Sequence, residues 1–233
     1  MKILALDTTA DVCSVAVCDD YRLIAEITVN TGNTHSQTLL PAVEQALKLC
    51  ELTVDDIDAF ACSVGPGSFT GVRIGVATIK GLAYNKNKPC VAVSTLEALA
   101  NNLVAFNGII CPVMNARRNQ VYNALFRCKN GVIERLCEDR AISIAELDEE
   151  LSTCAEPVYL CGDGYDITVK GSSKTEFVFV SPRERLQSAY SVATCAIEKI
   201  NKGETVSDTV IAPVYLRPSQ AERERLEKLN ANN

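Results

Sequence analysis

A chain of 233 residues with 47% apolar and 22% charged side chains forms one large domain or two small lobes around a sizeable core, and is not a disordered chain. Its 29 acidic and 23 basic residues leave a net charge of −6, which argues against a protein that holds nucleic acid through a basic surface of its own. The single histidine, His35, excludes a two-histidine metal site within this chain, and the eleven cysteines contain no Cys-x-x-Cys pair that would suggest a zinc ribbon or a thioredoxin-like motif.

The apolar run at residues 3–6 ends at Asp7, far short of the ~18 apolar residues of a membrane span. No targeting segment is therefore expected, and the cysteines read as small hydrophobes of a reducing cytosol. The first thirty residues predict a strand meander: residues 2–6, 12–17 and 23–29, with Asp19-Asp20 as a turn. At 34–50 the period changes. Leu39, Leu40, Val43, Ala46, Leu47 and Cys50 recur at helical spacing, and Pro41 should kink this helix or mark its effective start. A strand at 59–64 leads through Gly65-Pro66-Gly67-Ser68-Phe69-Thr70-Gly71 into a second helix that runs to about Tyr84. A strand at 90–93 and a short helix capped by Ser94 or Thr95 close this part.

After Asn101-Asn102 and Asn107-Gly108 the pattern restarts, with strands at 109–114, 120–127 and 131–136. Ser143-x-x-Glu146 is a capping box ahead of a helix. Strands at 158–161 and 176–180 follow. Ser181-Pro182-x-Glu184 predicts the start of a helix running to about Asn201. Strands followed by alternating helices and strands thus appear twice. The expectation is an α/β protein of two lobes, 1–103 and 104–217, with a charged tail at 218–233.

Three segments could carry chemistry. The glycine-rich segment 65–71 sits where backbone N–H groups at a helix start can cradle an anion, or it is a tight structural turn; no Gly-Lys-Ser/Thr follows, so it is not a P-loop. Asp7, at the end of the first strand, either holds a metal–nucleotide complex or forms a simple turn. Arg117-Arg118 can grip a phosphate or a carboxylate, or face solvent. His35-Ser36 is not a base–nucleophile pair, because adjacent residues at a helix start point apart. The helix from about 70 carries Gly71, Gly75 and Gly81, each costing roughly 1 kcal/mol relative to Ala in a helix interior. Close approach of another element offsets that, either this protein's own sheet or a partner helix.

Taken together, Ile3–Thr9 with Ser14–Val17, His35-Ser36 with Leu39-Leu40-Pro41, Gly65–Gly75 with Lys80–Ala83, Val93–Leu96 and Pro213–Arg217 resemble the bacterial TsaB (YeaZ) family of the tRNA threonylcarbamoyladenosine pathway. The resemblance covers most of residues 1–217 and is densest over 1–100. It implies a two-lobed actin/Hsp70/sugar-kinase-like (ASKHA) fold, each lobe a mixed sheet with helices. It also implies a non-catalytic, cytoplasmic protein that pairs with TsaD and joins TsaE, forms homodimers when alone, and meets tRNA only through the complex. No metal or cofactor is expected on this chain; ATP and a metal are expected on TsaD. The expected partner interface is Leu39, Leu40, Val43, Leu47, Val72, Gly75, Val76, Ile79 and Ala83. Gly67, Ser68, Thr70 and Arg73 are expected near any nucleotide or anion at that interface. Asn115 and Gln120 stand where the family usually has acids. The competing reading is a small ASKHA-type ATPase or phosphotransferase using Asp7 and the 65–71 loop.

Overall fold

The computed structural model describes residues 1–217. The stretch 218–233, read as a charged tail, lies outside the described residues.

Three strands, β1 (Lys2–Asp7), β2 (Cys13–Asp19) and β3 (Arg22–Val29), form the expected antiparallel meander. Strands β4 (Ala59–Ser63) and β5 (Cys90–Val93) add to β1 in parallel, giving a five-stranded sheet of order β3-β2-β1-β4-β5. Alternation sorts its side chains between two faces. Leu4, Leu6, Val15, Val17, Phe60 and Cys62 meet helices α1 (His35–Leu49) and α2 (Phe69–Ala83). Ile3, Ala5, Ala16, Ala59, Ala61, Val91 and Val93 face the other way. That second face is rich in alanine, so a helix can approach it closely. The helix that does so is α6 (Ala189–Asn201), which presents Ala189, Val192, Ala193 and Ala196.

The second sheet has the order β10-β7-β6-β11-β12, with β8 and β9 attached beside β6 (β6 Gly108–Asn115, β7 Gln120–Asn123, β8 Phe126–Lys129, β9 Val132–Arg135, β10 Arg140–Ser143, β11 Val158–Cys161, β12 Phe177–Val178). Helix α3 (Thr95–Asn101) shares its core with one face, through Leu96 and Leu99 beside Ile110, Met114 and Phe126. Helices α4 (Ile144–Ser152) and α5 (Tyr165–Gly171) pack on the other.

Four local expectations are revised. Helix α1 begins at His35 and passes through the exposed Pro41, so the proline does not mark its start. The single strand expected at 120–127 is two. β7 pairs with residues 113–115 of β6 and β8 with residues 108–110. Between them Pro112 has no N–H for the ladder, and the buried Asn123 amide donates to the Pro112 (3.1 Å) and Ala124 (2.9 Å) carbonyls instead. The strand expected at 176–180 is reduced to two residues.

The fourth revision is the helix expected from Ser181. Ser181 and Glu184 do make the predicted side-chain bond, Oγ donating to the carboxylate at 2.8 Å, yet α6 starts only at Ala189. Asn102 Nδ2 donates to the carbonyls of Glu184 (3.0 Å) and Leu186 (2.7 Å), and the Gly162 N–H donates to that of Arg185 (2.9 Å). These carbonyls are thus drawn away from helical partners. Ser188 then caps α6, while Ser14 Oγ and Glu26 accept the N–H groups of Ala189 and Tyr190.

Candidate functional site: the interlobe cleft and the outer helix pair

The carboxyl ends of β1, β4, β6 and β11 converge on a cleft of about 480 Å³ between the lobes. Thr9, Ala10 and Asp11 line it from the β1–β2 turn, and Gly67, Ser68, Phe69 and Thr70 from the start of α2. Asn115, Ala116, Arg117, Tyr122 and Asp163 face them from the second lobe. The α2 start is fixed by its neighbours. The Ser68 N–H donates to the Thr9 carbonyl (2.8 Å), and Ser68 Oγ accepts from the Gly71 N–H (3.3 Å) as the N-cap. A Cβ on Gly67 would run into the Thr9 carbonyl oxygen. Gly67, Ser68 and Thr70 therefore line the cleft between the lobes, beside the carboxylates of Asp11 and Asp163. Asp163, which no motif in the sequence singles out, accepts the Asn115 N–H (3.0 Å). Burial among the cleft walls pushes its carboxyl up to about 6, and the charge of Asp11 adds to this.

Asp7 is not part of the cleft lining. It is buried, with both oxygens occupied. Oδ1 accepts from the Thr9 N–H (2.9 Å) and Thr9 Oγ1 (2.7 Å), and Oδ2 accepts from Ser63 Oγ (2.6 Å). Burial raises its pKa, against the lowering effect of these donors. Arg73 is outside the lining too: its Nε donates to Tyr215 Oη (2.7 Å), and Tyr215 stacks on Phe69 at 4.6 Å. His35 and Ser36 point apart, as expected. His35 Nε2 bonds the Ala10 carbonyl (2.7 Å), and Ser36 Oγ bonds Thr34 (3.0 Å).

The structure corrects the residues named for a partner interface. Leu39, Val43, Leu47, Val72, Gly75, Val76, Ile79 and Ala83 are buried in the chain's own core between α1, α2 and the first sheet; of the nine, only Leu40, 58% exposed, faces outward. The helical period marks the apolar stripe of an amphipathic helix, and that stripe belongs first to its own sheet. The glycines divide the same way. A Cβ on Gly71 would run into the Thr8 carbonyl, and one on Gly75 would lie 2.6 Å from Thr8 Oγ1, which donates to the Gly71 carbonyl at 2.7 Å. Gly81 has open space around it. The exposed residues of the pair are Ser36, Gln37, Leu40, Pro41, Glu44, Gln45, Lys48 and Leu49 on α1, and Thr70, Arg73, Ala77 and Gly81 on α2, with Tyr84 following, so apolar and small residues are interspersed with polar ones.

Among the described residues no group of three or more His, Cys, Asp or Glu side chains could hold a metal ion, and no helix is long and apolar enough to cross a membrane.

Two sheets, each with helices on both faces, meeting at a cleft beside the carboxyl ends of their parallel strands, define the actin/Hsp70/sugar-kinase class of fold. The family model described as "TsaD: tRNA N6-adenosine threonylcarbamoyltransferase" matches residues 24–223. The "tRNA threonylcarbamoyladenosine biosynthesis protein TsaB" of Bacillus subtilis is 39% identical over 70% of this chain and 71% of its own length. Its Escherichia coli counterpart is 30% identical over 95% and 96%. The solved structure of YeaZ from Pseudomonas aeruginosa superposes with a TM-score of 0.79 at 26% identity, covering 92% of this chain and 99% of that one. The chain belongs to the TsaB (YeaZ) family.

Proposed function

We propose that this chain is a non-catalytic partner of the threonylcarbamoyltransferase TsaD, working with TsaE in the cytoplasm to modify adenosine 37 of tRNAs that read codons beginning with A. ATP and a metal belong to TsaD in this reading, and tRNA affinity comes mainly from the complex. The observation that carries it lies on the outward side of α1 and α2: among polar neighbours such as Gln37, Glu44, Lys48 and Arg73, the apolar or small Leu40, Leu49, Ala77 and Gly81 stand uncovered on two helices packed side by side. Small residues permit close helix–helix approach, and the same face supports the homodimer when TsaD is absent. Against a phosphotransferase built on Asp7, the hydroxyls of Thr9 and Ser63 already occupy the carboxylate that would hold the metal–nucleotide complex.

The test is a binding and tRNA-modification assay with TsaD, TsaE and ATP. Leu40→Glu with Gly81→Glu should not destabilise the isolated chain and should weaken pairing by more than about tenfold, because two charges would be buried without partners. Pairing and modification by this double variant at wild-type protein concentrations would refute the assignment. ATP turnover by the isolated chain, lost in Asp7→Asn, would favour the enzyme instead.

A further inference from the structure

Arg117, Arg118 and Asn119 form the connection between β6 and β7 with φ values of 62°, 53° and 55°. Three consecutive non-glycine residues in the left-handed region are disfavoured, and such strain persists only where the surroundings hold it. Here Asn115 Oδ1 accepts the Arg117 N–H (2.8 Å), the Gln120 N–H donates to the Arg117 carbonyl (3.1 Å), and the Ile144 N–H donates to the Asn119 carbonyl (3.1 Å). The outcome is two exposed arginines, of which Arg117 lines the cleft and Arg118 follows it in the connection. Neither has a carboxylate within 4.0 Å among the described residues; the same holds for Arg73, Arg183 and Arg185, while Arg22, Arg127, Arg135 and Arg140 are paired. The third arginine at this rim, Arg217, donates to the neutral amide of Gln120 (2.5 Å) and lies 5.9 Å from the centroid of the Tyr122 ring. Beside it Tyr215, 39% exposed, is braced by Phe69 and Arg73.

On a chain of net charge −6, these are cations with no carboxylate partner among the described residues, around a partly exposed ring. The carboxylates nearby, Asp11 and Asp163, line the cleft itself and repel an anion that would enter it. Phosphates are thereby favoured along the rim rather than inside. We propose that Arg117, Arg118 and Arg217, with Tyr215 as a stacking platform, form a contact for the phosphodiester backbone of RNA. The choice of RNA over another polyanion rests on the proposed role in tRNA modification; the uncompensated charge does not. The contact is local and adds to whatever grip the partner provides.

The test uses the full-length chain alone, with a fluorescently labelled RNA stem-loop followed by anisotropy over a range of salt concentrations. Three phosphate contacts on a single strand predict a slope of log K against log salt of about −2. Arg117→Ala with Arg118→Ala should lower that slope to about −0.7 and weaken low-salt binding by roughly tenfold or more. Arg117→Lys with Arg118→Lys should keep the slope, and all variants should unfold like the wild type. The proposal is overturned if the stem-loop fails to bind at about 50 mM salt, where such contacts are strong, or if the alanine pair binds as the wild type does. It is equally overturned if millimolar inorganic phosphate displaces the RNA, which would mark a small-anion site. Loss of TsaD pairing instead of RNA binding would mark a protein-docking site and overturn it as well. Leu40→Glu with Gly81→Glu should retain the RNA slope, so failure of the partner reading and failure of this one are read separately.

Discussion

At the scale of single residues, Gly71 and Gly81 make opposite predictions from the same helix. Gly71 is glycine because the Thr8 backbone occupies the space a Cβ would need. Gly71→Ala must push α2 away from the β1–β2 turn, breaking the bond from Thr8 Oγ1 to the Gly71 carbonyl. It should destabilise the protein by about 3 kcal/mol or more, as overpacking against a backbone does. At Gly81 a Cβ would meet nothing within 4 Å and the residue is exposed, so Gly81→Ala should stabilise the isolated chain by about 0.5–1 kcal/mol through helix propensity alone. Urea denaturation of the two variants measures both signs. A stabilising Gly71→Ala would mean the turn is not held as described. A glycine retained at a position where alanine is more stable points to a requirement outside the folded chain, which agrees with a partner approaching α2 at that point.

At the scale of elements, what could be read from the sequence was what local chemistry decides. The meander of β1–β3, the helices after Thr34 and Ser68, and the Ser143–Glu146 capping box all show in alternation, helical period and cap residues. Distant groups that take over backbone bonds left no local mark. The start of α6 is the clearest instance. Ser181-Pro182-x-Glu184 has every signal of a helix start, but Asn102, on the turn after α3, holds the Glu184 and Leu186 carbonyls in an unwound segment. Its Oδ1 also accepts from Ser191 Oγ at 2.6 Å. Asn102→Ala should therefore lower the unfolding free energy by about 2 kcal/mol, leaving three polar atoms without their partner. Asn102→Asp should not rescue it, because a carboxylate cannot donate to carbonyls. Full stability in either variant, measured by denaturation, would show that the 181–188 segment is set by its own sequence. The interface residues went astray for a related reason: period shows which stripe is apolar, and only the packed structure shows what already covers it. Asp163 left no mark in the sequence, since its place in the cleft depends on the approach of the second lobe to the first.

At the scale of the whole molecule, the chain does not pass once from a first lobe to a second. After the second sheet it returns. Helix α6 covers the alanine-rich face of the first sheet, Val206 bridges Cys90 through paired bonds of 2.8 and 2.9 Å, and the Val214 N–H donates to the Val64 carbonyl at 2.8 Å. The same return brings Tyr215 onto Phe69 and Arg217 to Gln120, so the segment that completes the first core also closes the rim of the cleft. Residues 1–103 alone would leave Ile3, Ala5, Ala16, Ala59, Ala61, Val91 and Val93 largely facing water, an apolar sheet face with only Ala98 of α3 in the same cluster. That fragment should lack a cooperative urea transition and should bind a hydrophobic dye. Joining residues 186–217 to it through a flexible linker should restore a sharp transition, since α6 and the strap then reach the same sheet. Residues 130–161, drawn from the second sheet and joined by the same linker, should not. A cooperative transition in the fragment alone would show that the first sheet is stable with one face bare, and that α6 serves the cleft rather than the core.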